Sequence, residues 1–158
     1  MTLSAATVTA AIAGLSIAGV VVRDTTDLPK SFTKRDCPVL FPHPDEWMQG
    51  TRSEPGEGAQ YVGQAGVFDA VRSLRYIFLH SPAIAANPME KIFPAMAARA
   101  DAIFSAIESL NTQAGLLTVR SVSYSQFGEI AAPPAGATTR NFFYGCFFDI
   151  EILEMANS

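Results

Sequence analysis

Two cysteines and two histidines hold most of this sequence's potential for nucleophilic or transition-metal chemistry. Cys37 and Cys146 stand 109 residues apart with no CxxC spacing, so the usual zinc and thioredoxin-type patterns are missing. His43 and His80 are 37 residues apart, and neither has a second ligand at helical or hairpin spacing; His43 with Asp45 is the whole of that constellation. A cysteine hydrolase would need Cys37 or Cys146 beside one of these histidines. Cys146, however, falls on the apolar face of a strand pattern with no flanking turn to expose it. Pro-Val-Leu-Phe follows Cys37 and Phe-Phe follows Cys146, the surroundings of buried strands, so both read as reduced core residues. A bridge stays open should the two strands be adjacent. Asp149 and Glu151 are the best-placed carboxylate pair for acid–base work, being two apart and so on one strand face, but ordinary alternation on a solvent or lumen face accounts for them too. His43-Pro44-Asp45 reads as a turn. Gly56-Glu57-Gly58 lacks the third glycine and the strand–turn–helix of a dinucleotide fingerprint. The expectation is no catalytic residue, no metal and no cofactor.

The composition points the same way. Lys and Arg number 11 against 15 Asp and Glu, a formal charge of −4, too acidic for a basic nucleic-acid-binding patch without strong segregation. Charged residues make up only 16%, below the roughly 25% usual for soluble domains. Such a charge-poor surface exposes apolar patches that mark contact with partners, so the chain reads as a subunit of an assembly. The first 22 residues are uncharged, but no basic residue precedes Arg23, and Gly14 and Gly19 interrupt the run. The expectation is a soluble, unprocessed chain without a membrane span.

The elements that must position these residues follow from periodicity. Val8, Ile12 and Leu15 recur at helical spacing and predict a short N-terminal helix on the core; residues 17–22 and 38–41 read as short buried strands. Residues 42–66 carry Pro42, Pro44 and Pro55 with five glycines and no sustained period, and read as one long loop. Its Trp47, Met48 and Tyr61 are candidate interface anchors, since large aromatics in long loops either tuck back or dock on partners. Residues 67–80 read as a long strand in which Arg72 and Arg75 point to opposite faces, one of them pairing with a carboxylate on the sheet. Residues 88–110 hold the best helical pattern, with Asn87 as N-cap, Pro88 in the first turn and Glu90 closing a capping box; Pro94 should kink or split it. Residues 116–126 read as a strand and 127–139 as a linker. The last strand alternates most clearly, with Phe142, Tyr144, Cys146, Phe148, Ile150 and Ile152 on the core face. Its other face is aromatic at Phe143 and Phe147 and acidic at Asp149 and Glu151. The predicted architecture is a single α+β domain over residues 1–158, a mostly antiparallel sheet with a long helix and a short N-terminal helix on one side.

This order of elements resembles the tail terminator, or tail completion, proteins of long-tailed bacteriophages. The likeness runs over nearly the whole chain: an Ala-rich leading helix, the 17–22 strand, a long loop, Leu74-Arg75-Tyr76-Ile77-Phe78, the long helix, and a closing Phe-Phe-Tyr-Gly-Cys-Phe-Phe-Asp-Ile-Glu-Ile. The resemblance implies a non-enzymatic virion protein, made in the host cytoplasm, that forms a homo-oligomeric ring, six-fold, on the end of the tail tube. Its implied partners are other copies of itself, the tail tube protein and a head–tail connector or neck protein. DNA would pass through the ring without specific binding, with Asp149 and Glu151 as lumen-facing candidates. A connector or neck subunit is the alternative within the same class; a small ligand-binding or hydrolytic domain is the alternative outside it.

Overall fold

A computed structural model describes residues 5–25, 28, 32–43, 48–52, 68–112, 117–132 and 141–155. Helix α1 spans Ala5–Ala13, followed by strands β1 (Val21–Val22), β2 (Val39–Pro42), β3 (Met48–Arg52) and β4 (Phe68–Pro82). Helix α2 (Met89–Glu108) passes into a 3-10 turn (Ser109–Thr112), and β5 (Leu117–Ala132) and β6 (Asn141–Met155) complete the chain. The six strands make one sheet in the order β1-β2-β4-β6-β5, antiparallel except for the β1–β2 pair. β6 runs along one side of β4, and β2 and β3 share the other end to end: Val39 to Pro42 face Leu79 to Tyr76, and Met48 to Arg52 face Leu74 to Ala70. The predicted α+β architecture with both helices on one side of the sheet is the one observed.

The long strands form because their side chains alternate between two environments. Leu74, Tyr76 and Phe78 of β4 with Cys146, Phe148, Ile150 and Ile152 of β6 face Met96, Ala100, Ile103 and Ile107 of α2, with Ile12 of α1 in the same cluster. Fully burying each such aliphatic side chain stabilises the fold by about 1.5–3 kcal/mol before entropy is charged against it. The intervening residues Ile77, Leu79, Phe143 and Ile130 build a smaller cluster on the opposite face with Val39 and Phe41, under Phe32, Leu28 and Cys37. Phe32 and Phe41 stack there with ring centroids 4.3 Å apart.

Several boundaries differ from the sequence reading. Only Val21 and Val22 of the 17–22 run are ladder-paired, because Ile17 and Val20 bridge each other across a tight turn in which Gly19 takes φ +75°. β3 lies inside the segment read as loop, held by the free edge of β4. β5 continues past residue 126 to Ala132, since a bulge between Ser125 and Gly128, with Gln126 at φ +61°, interrupts the alternation without ending the pairing. The long helix starts at Met89 with Pro88 as N-cap and no side-chain cap bond, while Asn87 bridges Ile84 in the preceding turn. It runs unbroken through Pro94, which sits on the exposed side and withholds only the bond that Glu90's carbonyl would have accepted. Phe142, in phase with the core face, is exposed at the start of β6.

Candidate functional site

The face of the sheet away from the helices divides along the strands. At one end Phe143, Ile77 and Leu79 lie beneath Leu28, Phe32 and Cys37; at the other the same strands present polar groups. Register places Arg75 opposite Asp149 and Ser73 opposite Glu151 between β4 and β6, and Ser121, Ser123 and Ser125 of β5 opposite Glu151, Asp149 and Phe147. The Arg75 Nε lies 3.7 Å from an Asp149 carboxylate oxygen, and the guanidinium carbon sits 4.6 Å from the centre of the Phe147 ring. His43 continues this patch, its ring 6.1 Å from Phe147 and its amide donating to the Arg75 carbonyl at 2.8 Å. The Ser121 hydroxyl donates to Glu151 at 3.4 Å. The expected pairing of an arginine with a sheet carboxylate is therefore made by Arg75. Asp149 and Glu151 stand on one face as their spacing requires, Asp149 exposed and Glu151 partly so. The stacking of Arg75 on Phe147 was not read from sequence, although the diagonal of two residues on adjacent strands is visible in the pattern once the register is known.

The nucleophile candidates are separated by the sheet. Cys146 is fully buried among the helix-side residues, and Cys37 packs half-buried against the opposite cluster; both are free thiols, so the disulfide left open by the sequence is not formed. Burial pushes each thiol up to about 12, with Asp36 adding to the effect at Cys37. Both are protonated at neutral pH and poor nucleophiles. The Cys37 Sγ points to the Thr33 carbonyl at 3.9 Å, and Cys37 stands after the 3-10 turn Lys34–Asp36, outside β2. His80 is buried on the helix side with its Nδ1 3.2 Å from an Arg99 guanidinium nitrogen. The guanidinium can only donate, so Nδ1 accepts and the ring is held neutral; burial lowers its pKa first and the Arg99 charge lowers it further. Among the described residues, no group of three or more His, Cys, Asp or Glu side chains could hold a metal ion, and no helix is long and apolar enough to cross a membrane. Trp47 and Tyr61 lie outside the described residues, and of Met48 only the backbone, paired with Leu74, is described.

Two further surfaces were not anticipated. At the start of β6 a depression of about 490 Å³ is lined by Lys34, Pro82, Ile84, Asn141, Phe142 and Phe143, with Ile84 and Phe142 exposed. Along β5, Tyr124 is the hub of an aromatic cluster, its ring 5.4 Å from Phe127, 5.7 Å from Phe148 and 6.1 Å from Phe104, with its hydroxyl donating to Asp101 of α2 at 3.1 Å. Phe93 extends the row, 5.5 Å from Phe127. Comparison of the chain with protein-family models, with curated proteins and with solved structures finds no match.

Proposed function

We propose that this chain is a structural, ring-forming subunit of a long-tailed phage virion, of the tail terminator type, with the helix-free polar sheet face turned to the channel. One observation carries the reading: Arg75, the described cation on the open half of that face, is paired with Asp149, beside Glu151 and three serines. Such a wall is hydrated and bears no net positive charge, so a duplex sliding past it is not held through counterion release. The net charge of −4 multiplies with each copy and acts in the same sense. The helices, all on the other side of the sheet, would form the outer wall. A ring follows from one heterologous contact repeated until it closes, and the exposed apolar residues Val21, Ile84 and Phe142 are available for contacts of that kind.

Electron microscopy of the purified protein mixed with tail tubes tests this: a closed ring at the tube end is expected. A ring found instead at the neck of the particle would move the chain to the connector alternative. A monomer that fails to bind tubes would sink the reading, and tight, salt-dependent binding to free duplex DNA would remove the channel role. The depression at Ile84 and Phe142 favours a second reading, a small ligand-binding module with an apolar floor and Lys34 at its rim. Saturable binding of an amphipathic carboxylate that Phe142→Ala abolishes would establish it.

A further inference from the structure

β5 is a strand of 16 residues that, among the described residues, pairs with β6 on one side and stands at the edge of the sheet. Edge strands present a row of unsatisfied amide and carbonyl groups, and stable monomers blunt them with charges, prolines and bulges. β5 has two bulges, one between Val119 and Ser121 and one between Ser125 and Gly128, which leave residues 121–125 as a regular stretch between them. That stretch reads Ser-Val-Ser-Tyr-Ser, and from Ser121 to Gly128 there is neither a charge nor a proline. Its serines are solvent-facing, and beside it Phe93 and Tyr124 are 44% and 37% exposed.

We infer that residues 121–125 of β5 pair antiparallel with the same stretch of a second copy about a two-fold axis at Ser123. The stretch is self-complementary about its centre. Ser123 meets its own counterpart, Ser121 meets Ser125, and Val122 meets Tyr124, a β-branched residue opposite an aromatic, which is a favourable cross-strand pair. The bulges set the length, because the ladder cannot continue through them in register. A two-fold axis normal to the sheet keeps both helix layers on the same side, so the exposed Phe93 and Tyr124 rows of the two copies approach each other above the joined sheets. On the helix side one carboxylate stands near the seam, Asp101, which accepts a hydrogen bond from the Tyr124 hydroxyl at 3.1 Å and makes the pairing tighter at high salt than at low. The nearest described carboxylate on the other face, Asp149, sits on β6 opposite Ser123, and the two copies of it would be three strand spacings apart, roughly 14 Å. That exceeds the screening length of about 8 Å at physiological ionic strength. An isologous contact closes at two copies and cannot make a ring, so this pairing is independent of the function proposed above and uses a different surface from the ring contact.

Sedimentation of the full chain should show a concentration-dependent dimer. Ser123→Lys, solvent-facing in the monomer, places two like charges opposite each other on the axis and should raise the dissociation constant roughly ten-fold or more with circular dichroism unchanged. Register is read by cross-linking in a Cys37→Ser background. Two Ser123→Cys chains should form a disulfide on mild oxidation, because facing positions come within the Cα separations a disulfide spans. Ser125→Cys should not link to itself but should link to Ser121→Cys. A wild-type chain that is monomeric at every concentration overturns the inference, as do Ser125→Cys chains that self-link as readily as Ser123→Cys chains. A larger assembly that Ser123→Lys leaves intact overturns this pairing and leaves the ring standing; a dimer that never engages tail tubes does the reverse.

Discussion

Arg75 and Asp149 face each other directly across the β4–β6 ladder, with 3.7 Å between Nε and the carboxylate, while the same guanidinium covers the Phe147 ring two residues along β6. The two contacts differ in what they contribute. The ion pair is part-exposed at both ends, 29% and 52%, so it stabilises by at most about 1 kcal/mol and weakens with salt. The stacking adds roughly 0.5–1 kcal/mol, part of it apolar contact between guanidinium and ring that salt does not screen. Asp149→Asn should therefore cost little, and less at high salt. Arg75→Ala should cost about 1–2 kcal/mol in urea unfolding, because the stacked contact is lost with the charge. An equal loss from both variants would show that the stacking contributes nothing.

At Gly145 the backbone of β6 lies close against that of β4. A Cβ added there would run into the Phe78 carbonyl oxygen, which belongs to the partner strand's backbone and cannot move without opening the ladder. Gly145→Ala should destabilise by about 3 kcal/mol or more, far beyond an ordinary glycine substitution in a strand. Gly128→Ala, where the added atom meets nothing within 4 Å, is the control and should be near neutral. Comparable thermal midpoints for the two variants would refute the close-approach argument.

Where one periodicity governs a whole element, the sequence alone sufficed. Met96, Ala100, Ile103 and Ile107 give the buried face of α2 directly, and the alternation from Tyr144 to Ile152 gives both faces of β6, so the placement of Asp149 and Glu151 was legible too. What escaped is what neighbouring strands impose. β3 has no apolar alternation of its own and exists because β4 offers Ala70 to Leu74 an unpaired edge. Pro133, Pro134 and Gly136 make the stretch after residue 126 read as a linker, yet beyond a bulge at Gln126, which takes the left-handed region, pairing resumes with Gly145 opposite Gly128. The Arg75–Phe147 stack needs the register of two strands 72 residues apart, which no local pattern contains.

Cys37 and Cys146 titrate only near 12, against about 8.5 for a thiol in an unfolded chain. The folded state therefore holds these protons more tightly than the unfolded state. Their contribution to stability is complete below about pH 8.5 and is lost as pH rises from there through 12, at up to about 1.4 kcal/mol per pH unit for the fully buried Cys146 and at a smaller slope for half-buried Cys37, whose charge solvent screens. Urea unfolding between pH 8 and 10 should show a falling midpoint, and Cys146→Ala should flatten the slope while lowering the starting value through the cavity it leaves. In the native state neither thiol should react with a disulfide reagent at pH 8, whereas both should in urea. Rapid native labelling of Cys146 would mean that the helix side of the sheet opens.

His80 works in the opposite pH range. Its ring is buried against Phe78, with centroids 6.1 Å apart, and receives a hydrogen bond from Arg99, so protonating it would bury a second positive charge beside the first. Its pKa is lowered below 6.5 for those two reasons, burial and then Arg99. The unfolded chain then binds the proton more readily than the folded one, so stability is held above about pH 6.5 and is lost as pH falls from there toward the folded-state value. Other groups titrate in acid as well, so the diagnostic quantity is the difference between wild type and His80→Gln, whose amide oxygen can still accept from Arg99. That difference should favour the wild type at pH 7.5 and shrink by pH 5.5, as the wild type alone must take up the proton on unfolding. Arg99→Leu should give a smaller loss between the same two pH values, because only the burial part of the shift remains. An unfolding free energy whose pH dependence is the same for wild type and His80→Gln would show that this histidine is not held neutral by its place between the sheet and α2.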